Sequence, residues 1–369
     1  MTDDIADRAA RLLHLRQQHL AKGDPVPLPI TPASMFHLPG MPGGVPGYGR
    51  MDNPTWDAVE EMLTLLEAAP SLLFPSGMGA ISAVMMACLN AGDRLLLPSD
   101  GYYTPRVLAD RFLKNYGIEI EERPTASFAA GGFEGFAMVF IETPSNPGLD
   151  LVDIAQVSAE VRAAGGISVV DNTTMTPLGQ RPLDLGADVV VASDTKAPGG
   201  HSDVLAGHVS SRSEAIIDAV RSWRTLSGGI TGPFEAWMLH RSLETLEVRF
   251  DRMCTSAGII AERLQGHLAL TRLRYPGLPG DPSHNLAQVQ MARSGFIIGL
   301  TLESEDKAEA FIDGCAMIQP ATSFGGVHTS AERRARWGDA VPDGFVRLSV
   351  GCEPVEPLWA ALKASLDRC

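Results

Sequence analysis

Before residue 200, five apolar runs are each followed by polar side chains able to do chemistry. SLLF (71–74) leads into Ser76, Gly77 and Met78, RLLL (94–97) into Tyr102, and AMVFIE (137–142) into Ser145 and Asn146. ISVV (167–170) ends at Asp171, and DVVVA (188–192) is followed by Ser193, Thr195 and Lys196. An amine, a carboxylate, an aromatic ring and several hydroxyls suit pyridoxal 5'-phosphate. A lysine holds its aldehyde as a Schiff base, and an acid beside the ring nitrogen keeps that nitrogen protonated as an electron sink. Lys196 and Asp171 fit these two roles. The amides of Ser76, Gly77 and Met78, opening the helical stretch GAISAVMMACL, fit a phosphate cradle at a helix N-terminus. Ser193 and Thr195 add hydroxyls to it, and Tyr102 can stack on the ring.

What must position these groups is a sheet. Uninterrupted apolar strands separated by helical stretches predict parallel strands covered on both faces, with ligands at their carboxyl ends. Residues 1–50 open with a short amphipathic stretch and turn rich in Pro and Gly, which predicts an extended N-terminal arm. At 53–55, NPT predicts a helix start, and Trp56, Val59, Met62, Leu63 and Leu66 recur at helical spacing to about Ala69. The large α/β domain is expected over 51–235. Beyond it, a single long helix (PFEAWMLHRSLETLEVRFDRMCTSAGIIAERL), the strand-like runs GFIIGLTLE and FVRLSV, and a closing helix from about Glu356 predict a smaller α+β domain over 236–369.

Composition narrows the function. With 369 residues, 45% of them hydrophobic, the chain can bury a large core, which excludes disordered and fibrous classes. Forty-four acidic against 30 basic side chains give a formal charge of -14, which repels nucleic acid and anionic membranes alike. The start MTDDIADRAA lacks the basic and apolar segments of a signal peptide, and a cytoplasmic location is expected. Five scattered cysteines, none in a CxxC pair, fit neither a disulfide framework nor a zinc site. His201, Ser202 and Asp203 are adjacent and cannot form a linear hydrolase triad, and no GxSxG elbow occurs. Ser82 stands at the third glycine position of a dinucleotide fingerprint, so that motif is incomplete.

A series of motifs carries a resemblance. YGRMDNPT (48–55), PSGMGA (75–80), ETPSNP (142–147), VVDNT (169–173), SDTKAPGGHSD (193–203), YPGLPGDPSHNLA (275–287), SFGGV (323–327) and RLSVGCE (347–353) resemble the Cys/Met-metabolism pyridoxal-phosphate enzymes. Cystathionine γ-synthase, cystathionine β-lyase, cystathionine γ-lyase and methionine γ-lyase belong to that family. The resemblance implies an α/β, fold type I (aspartate-aminotransferase-like) architecture and a homo-oligomer, a dimer of dimers. It puts the Schiff base on Lys196, the ring-nitrogen partner on Asp171 and ring stacking on Tyr102, with phosphate contacts from Gly77, Met78, Ser193 and Thr195. Tyr48 and Arg50 match residues that reach the phosphate of a neighbouring subunit. Asn146 and Arg347 match the groups near the cofactor 3-oxygen and the substrate α-carboxylate, and Ser323 and His328 fall on the substrate side. Gly47 and His328 occupy places where γ-lyase-like members carry acidic residues.

The expected activity is a carbon–sulfur lyase acting on an L-amino-acid thioether such as cystathionine, with Lys196 as base and Tyr102 assisting. A γ-replacement transferase would use the same residues, and a non-catalytic cofactor-binding relative is the alternative of another class.

Overall fold

This computed structural model describes residues 2–41 and 43–369. Helix α1 (Thr2–His14) begins the chain, so the first part of the arm is helical and not extended. The reason lies in the amphipathic stretch: Ile5 and Leu12 are buried in the core that also holds Trp56 and Val59 of α2 (Pro54–Glu67). The Asn53 side chain caps α2 by accepting from the Thr55 amide at 2.9 Å, and Ala68, in a left-handed conformation, ends it.

The five apolar runs become β1 (Ser71–Phe74), β2 (Arg94–Pro98), β4 (Met138–Glu142), β5 (Ile167–Asp171) and β6 (Val189–Ala192), joined by β3 (Glu119–Arg123) and β7 (Gly207–Ser211). Their order across the sheet is β1-β7-β6-β5-β4-β2-β3. The five strands β2 to β6 run parallel, while β7 pairs antiparallel with both β1 and β6. The carboxyl ends of the parallel strands therefore share one edge. Sheet packing covers both faces, which is why these runs do not alternate with polar residues. A second sheet, ordered β10-β11-β12-β9-β8, combines β8 (Arg272–Arg274), β9 (Ile297–Thr301), β10 (Gln319–Pro320), β11 (Ser330–Arg333) and β12 (Phe345–Ser349).

The long helix expected after Pro233 is two, Pro233–Leu243 and Leu246–Leu264. Ser242 carries the break. Its carbonyl accepts from the Thr245 amide at 3.2 Å, from the Thr245 hydroxyl at 3.2 Å and from the Arg249 guanidinium at 2.7 Å, so it is lost to the regular ladder. Arg249 also donates to the carbonyls of Ala197 (2.5 Å) and Pro198 (3.0 Å), so the break holds the loop just beyond Lys196.

Close backbone packing joins the segment after β1 to the start of β7 and to the segment after β6. A Cβ on Gly207 would stand 2.6 Å from the Gly77 amide nitrogen, and one on Gly77 would stand 2.6 Å from the Cβ of Ser193. Beneath this point His208, fully buried, contacts both Asp194 oxygens at 2.9 Å through Nδ1 and Glu67 Oε1 at 3.2 Å through Nε2. Burial by itself would lower the imidazole pKa, but the charge and hydrogen bonds of Asp194 and Glu67 overcome it and push it up to about 10. A pKa raised on folding contributes stability that is complete below the ordinary value, ~6.5, and is lost as pH rises through the folded one. Thermal unfolding midpoints should therefore fall progressively as pH rises from about 6.5 to about 10. His208→Gln should lose about 3–5 kcal/mol at pH 7, because it leaves buried carboxylates without their cation, and should flatten that decline. A variant with the parent's pH slope would show that His208 is not the titrating group.

Candidate active site

A cavity of about 240 Å³ opens at the shared strand edge, where residues of the large sheet meet others from the second sheet. At its floor helix α3 (Gly77–Cys88) begins. Ser76 caps it, its hydroxyl accepting from the Gly79 amide at 3.0 Å, and the first-turn N–H groups have no acceptor within the helix. Ser76, Gly77, Met78, Ser193 and Thr195 line the cavity together, giving amides and hydroxyls at the positive end of a helix dipole.

Asp171, the last residue of β5, reaches the cavity with one oxygen accepting from the Thr173 amide at 2.9 Å. Burial raises its pKa against those hydrogen bonds and the opposing charges of Lys196 and His208. A buried carboxylate in this state is stabilised by a cation brought to it, which is what a protonated pyridine nitrogen offers. Glu142, at the end of β4, accepts from the Tyr102 amide at 2.6 Å, and burial together with Asp171 holds its pKa well above the usual range. Tyr102 lines the same wall, edge-on to Tyr103 at 5.6 Å between ring centroids.

Lys196 faces these groups. Its Nζ donates to Ser323 Oγ at 2.9 Å and lies 5.3 Å from the centre of the Phe324 ring. Burial and the nearby Arg347 push its pKa down to about 8 against the pull of Asp171. An amine so tuned has, near physiological pH, a neutral and hence nucleophilic fraction far larger than that of an ordinary lysine. Arg347 also lies against Phe324, 5.0 Å from the ring centre. It donates to Asn146 Oδ1 (2.6 Å), to the Ser323 carbonyl (3.2 Å) and to Glu332 Oε2 (3.1 Å). Glu332 sits opposite Arg347 in the β11–β12 register, which makes this ion pair a direct product of strand pairing. Burial first, and then Arg334, lower the Arg347 pKa to about 10.

Of the residues singled out from sequence, Lys196, Tyr102, Asp171, Ser76, Gly77, Met78, Asn146, Ser193, Thr195, Ser323 and Arg347 all line this cavity. His328 does not; its side chain is exposed and lies outside the lining. Tyr48 and Arg50 line a separate groove with Trp56 and Thr231, where Arg50 donates to the Thr225 carbonyl at 2.5 Å and stacks over the Tyr48 ring at 5.6 Å. Sequence reasoning missed Glu142, Thr173, Phe324 and Arg334, which also line the cavity. Glu142 had a signal, as a charge closing an apolar strand. Arg334 had none, because within ERRARW it reads as part of a solvated charge run.

The amine, carboxylate and helix N-terminus in one cavity fit pyridoxal phosphate by donor chemistry. The family model of Cys/Met-metabolism PLP-dependent enzymes matches residues 11–367. The chain belongs to this family. It is accordingly a pyridoxal-phosphate-dependent enzyme of the lyase and transferase group that acts on sulfur amino acids. This family member is 49% identical over 344 residues to a Streptomyces coelicolor protein provisionally named cystathionine γ-lyase, covering 91% of this chain and 87% of that one. It is 35% identical to cystathionine γ-lyase of Bacillus subtilis, covering 93% and 94%. Among solved structures it is similar to cystathionine γ-synthase from Xanthomonas oryzae pv. oryzae in complex with cystathionine, with TM-score 0.93, 33% identity and 98% of each chain covered. Among the described residues no helix is long and apolar enough to cross a membrane.

Proposed function

We propose that this enzyme cleaves the carbon–sulfur bond of L-cystathionine or a related L-amino-acid thioether, by γ-elimination in preference to β-elimination. The observation that carries the reading is the meeting of Lys196, an amine of lowered pKa, with Arg347 at one aromatic ring in the cavity that Asp171 also enters. The preference for γ-cleavage draws on the relatives named γ-lyases.

In this reading Lys196 would hold the cofactor aldehyde and, as a free amine, would take the proton from the substrate Cα and carry a second one from Cβ. Bound pyridoxal phosphate supplies the electron sink for the resulting carbanion. The Ser323 hydroxyl, 2.9 Å from Nζ, orients the amine between these transfers. Asp171 would keep the ring nitrogen protonated, Tyr102 would stack on the ring, and Ser76, Gly77, Met78, Ser193 and Thr195 would hold the phosphate. Arg347 receives the substrate α-carboxylate with Asn146 beside it, the planar fork of the guanidinium matching two oxygens.

The reading includes a homo-oligomer, a dimer of dimers, in which Tyr48 and Arg50 of one subunit reach the phosphate of another; supporting it, both lie off their own chain's cavity. It also includes a division into an arm (1–50), a large domain (51–235) and a small domain (236–369). A cytoplasmic location is part of it too, and the five unpaired cysteines suit a reducing compartment.

The test is incubation with L-cystathionine and identification of the products. The γ-reaction consumes water and releases cysteine, 2-oxobutanoate and ammonia, whereas β-cleavage yields homocysteine, pyruvate and ammonia. We expect 2-oxobutanoate to be the main oxoacid. Release of neither, together with efficient turnover of an O-acyl-homoserine with a thiol, would replace this reading by a γ-replacement transferase.

A further inference from the structure

We propose that Arg334 is a specificity-determining residue that binds a carboxylate at the distal end of the substrate side chain, so that the enzyme favours amino acids whose side chains end in an anion. This rests on Arg347 receiving the α-carboxylate, as read above.

Arg334 follows β11 and lines the cavity beside Arg347, although its side chain is almost wholly buried. The two guanidinium groups share one acceptor, Glu332 Oε2, at 2.7 Å from Arg334 Nη1 and 3.1 Å from Arg347 Nη2. Asp339 takes the other edge of Arg334, with its Oδ2 at 2.7 Å from both Nε and Nη2. These two carboxylates fix the plane of the guanidinium but do not use all of its five N–H groups. A rigid fork with donors to spare, bordering a cavity, is suited to recognising a planar carboxylate.

The remaining lining says what the distal end is not. Among the described residues lining the cavity, Glu142 and Asp171 are the acidic ones. Glu142 accepts from the Tyr102 amide and is held toward its neutral form by burial and Asp171, and Asp171 is assigned to the cofactor ring. A distal ammonium group thus meets no free carboxylate on this wall, whereas a distal carboxylate meets Arg334. The oxygens of Glu332 are themselves occupied, one by both arginines and the other by Thr322, Arg336 and Trp337, so Glu332 cannot serve a cationic ligand instead.

Binding to the purified holoenzyme tests this without any cleavage. L-2-Aminoadipate, L-norleucine and L-lysine have side chains of similar length ending in a carboxylate, a methyl and an ammonium group, and none has a sulfur leaving group. Their dissociation constants are read from cofactor absorbance or calorimetry. Wild-type enzyme should bind aminoadipate roughly 10-fold or more tightly than norleucine, the scale of one charge-assisted contact, and lysine most weakly. Arg334→Met should abolish the aminoadipate advantage while changing the norleucine constant by less than about 3-fold, and Arg334→Lys should keep part of the advantage. Equal weakening of all three ligands would overturn the proposal, leaving Arg334 as a support for Arg347. Wild-type enzyme that binds aminoadipate no better than norleucine would overturn it as well, whatever the variants do. Because these ligands are not cleaved, either failure is separate from failure of the carbon–sulfur lyase reading, which the oxoacid assay decides.

Discussion

Lys196→Ala gives a folded protein whose kcat is lower by at least ~10³-fold, the loss expected when one group serves as both covalent anchor and proton carrier. Among the described residues lining the cavity, Lys196 is the sole amine, so no neighbour can replace it. The fold should not suffer. The Lys196 pKa is pushed down to about 8 by burial and Arg347, from a value near 10.5 in an unfolded chain. A base whose pKa falls on folding weakens the fold wherever the unfolded amine is protonated, and this penalty is fullest below pH 8. At pH 7 the alanine apoprotein should therefore melt no lower than the parent apoprotein. The assay is oxoacid release per enzyme, with melting curves recorded on both apoproteins. Undiminished turnover would remove Lys196 from the mechanism.

For Asp171→Asn we expect retained cofactor but a kcat reduced by ~10²- to 10³-fold, as for other losses of a charge that stabilises the transition state. The amide keeps an oxygen for the Thr173 N–H, so local geometry persists. What it lacks is the negative charge that keeps a ring nitrogen protonated. Asparagine also removes a carboxylate from beside Glu142, whose pKa is raised partly by Asp171, and should let Glu142 ionise at lower pH. Visible absorbance of the purified variant reports bound cofactor and stopped assays report rate. Near-parental rates would mean that the electron sink is arranged by some other group.

The fold was legible where burial is two-sided. SLLF, RLLL, MVFIE, ISVVD and VVVA carry their strand identity in their composition, and the residues after them enter the cavity because parallel strands end on one edge. β7 was not legible. Gly207–Ser211 reads GHVSS, and its polar groups are buried only because partners distant in sequence await them: Ser210 Oγ meets Ser71 Oγ at 2.6 Å, and His208 meets Asp194 and Glu67. The helix break at Ser242 escaped for a similar reason, since apolar periodicity runs through it while the interruption depends on Arg249 turning toward Ala197 and Pro198. Within the site, charges that close strands or follow them could be found. The cavity role of Arg334 depends on Glu332 and Asp339 folding it inward, and one-dimensional spacing carries no trace of that.

The pairing of β1 with β7 bears on how the chain is made. Ser71–Phe74 lies at one border of the sheet, and its sheet partner is Gly207–Ser211. A nascent chain that has emerged as far as β1 must wait for roughly 130 further residues, on the order of ten seconds of synthesis at ~5–20 residues per second. During that interval an apolar tetrapeptide stands without the backbone partner it will finally have, a condition that favours wrong pairing between neighbouring chains. The start of α3 is likewise unfinished until Gly207 closes against Gly77. A cofactor that docks there thus meets a binding surface completed late in translation, and ribosome-bound chains truncated before residue 207 lack it.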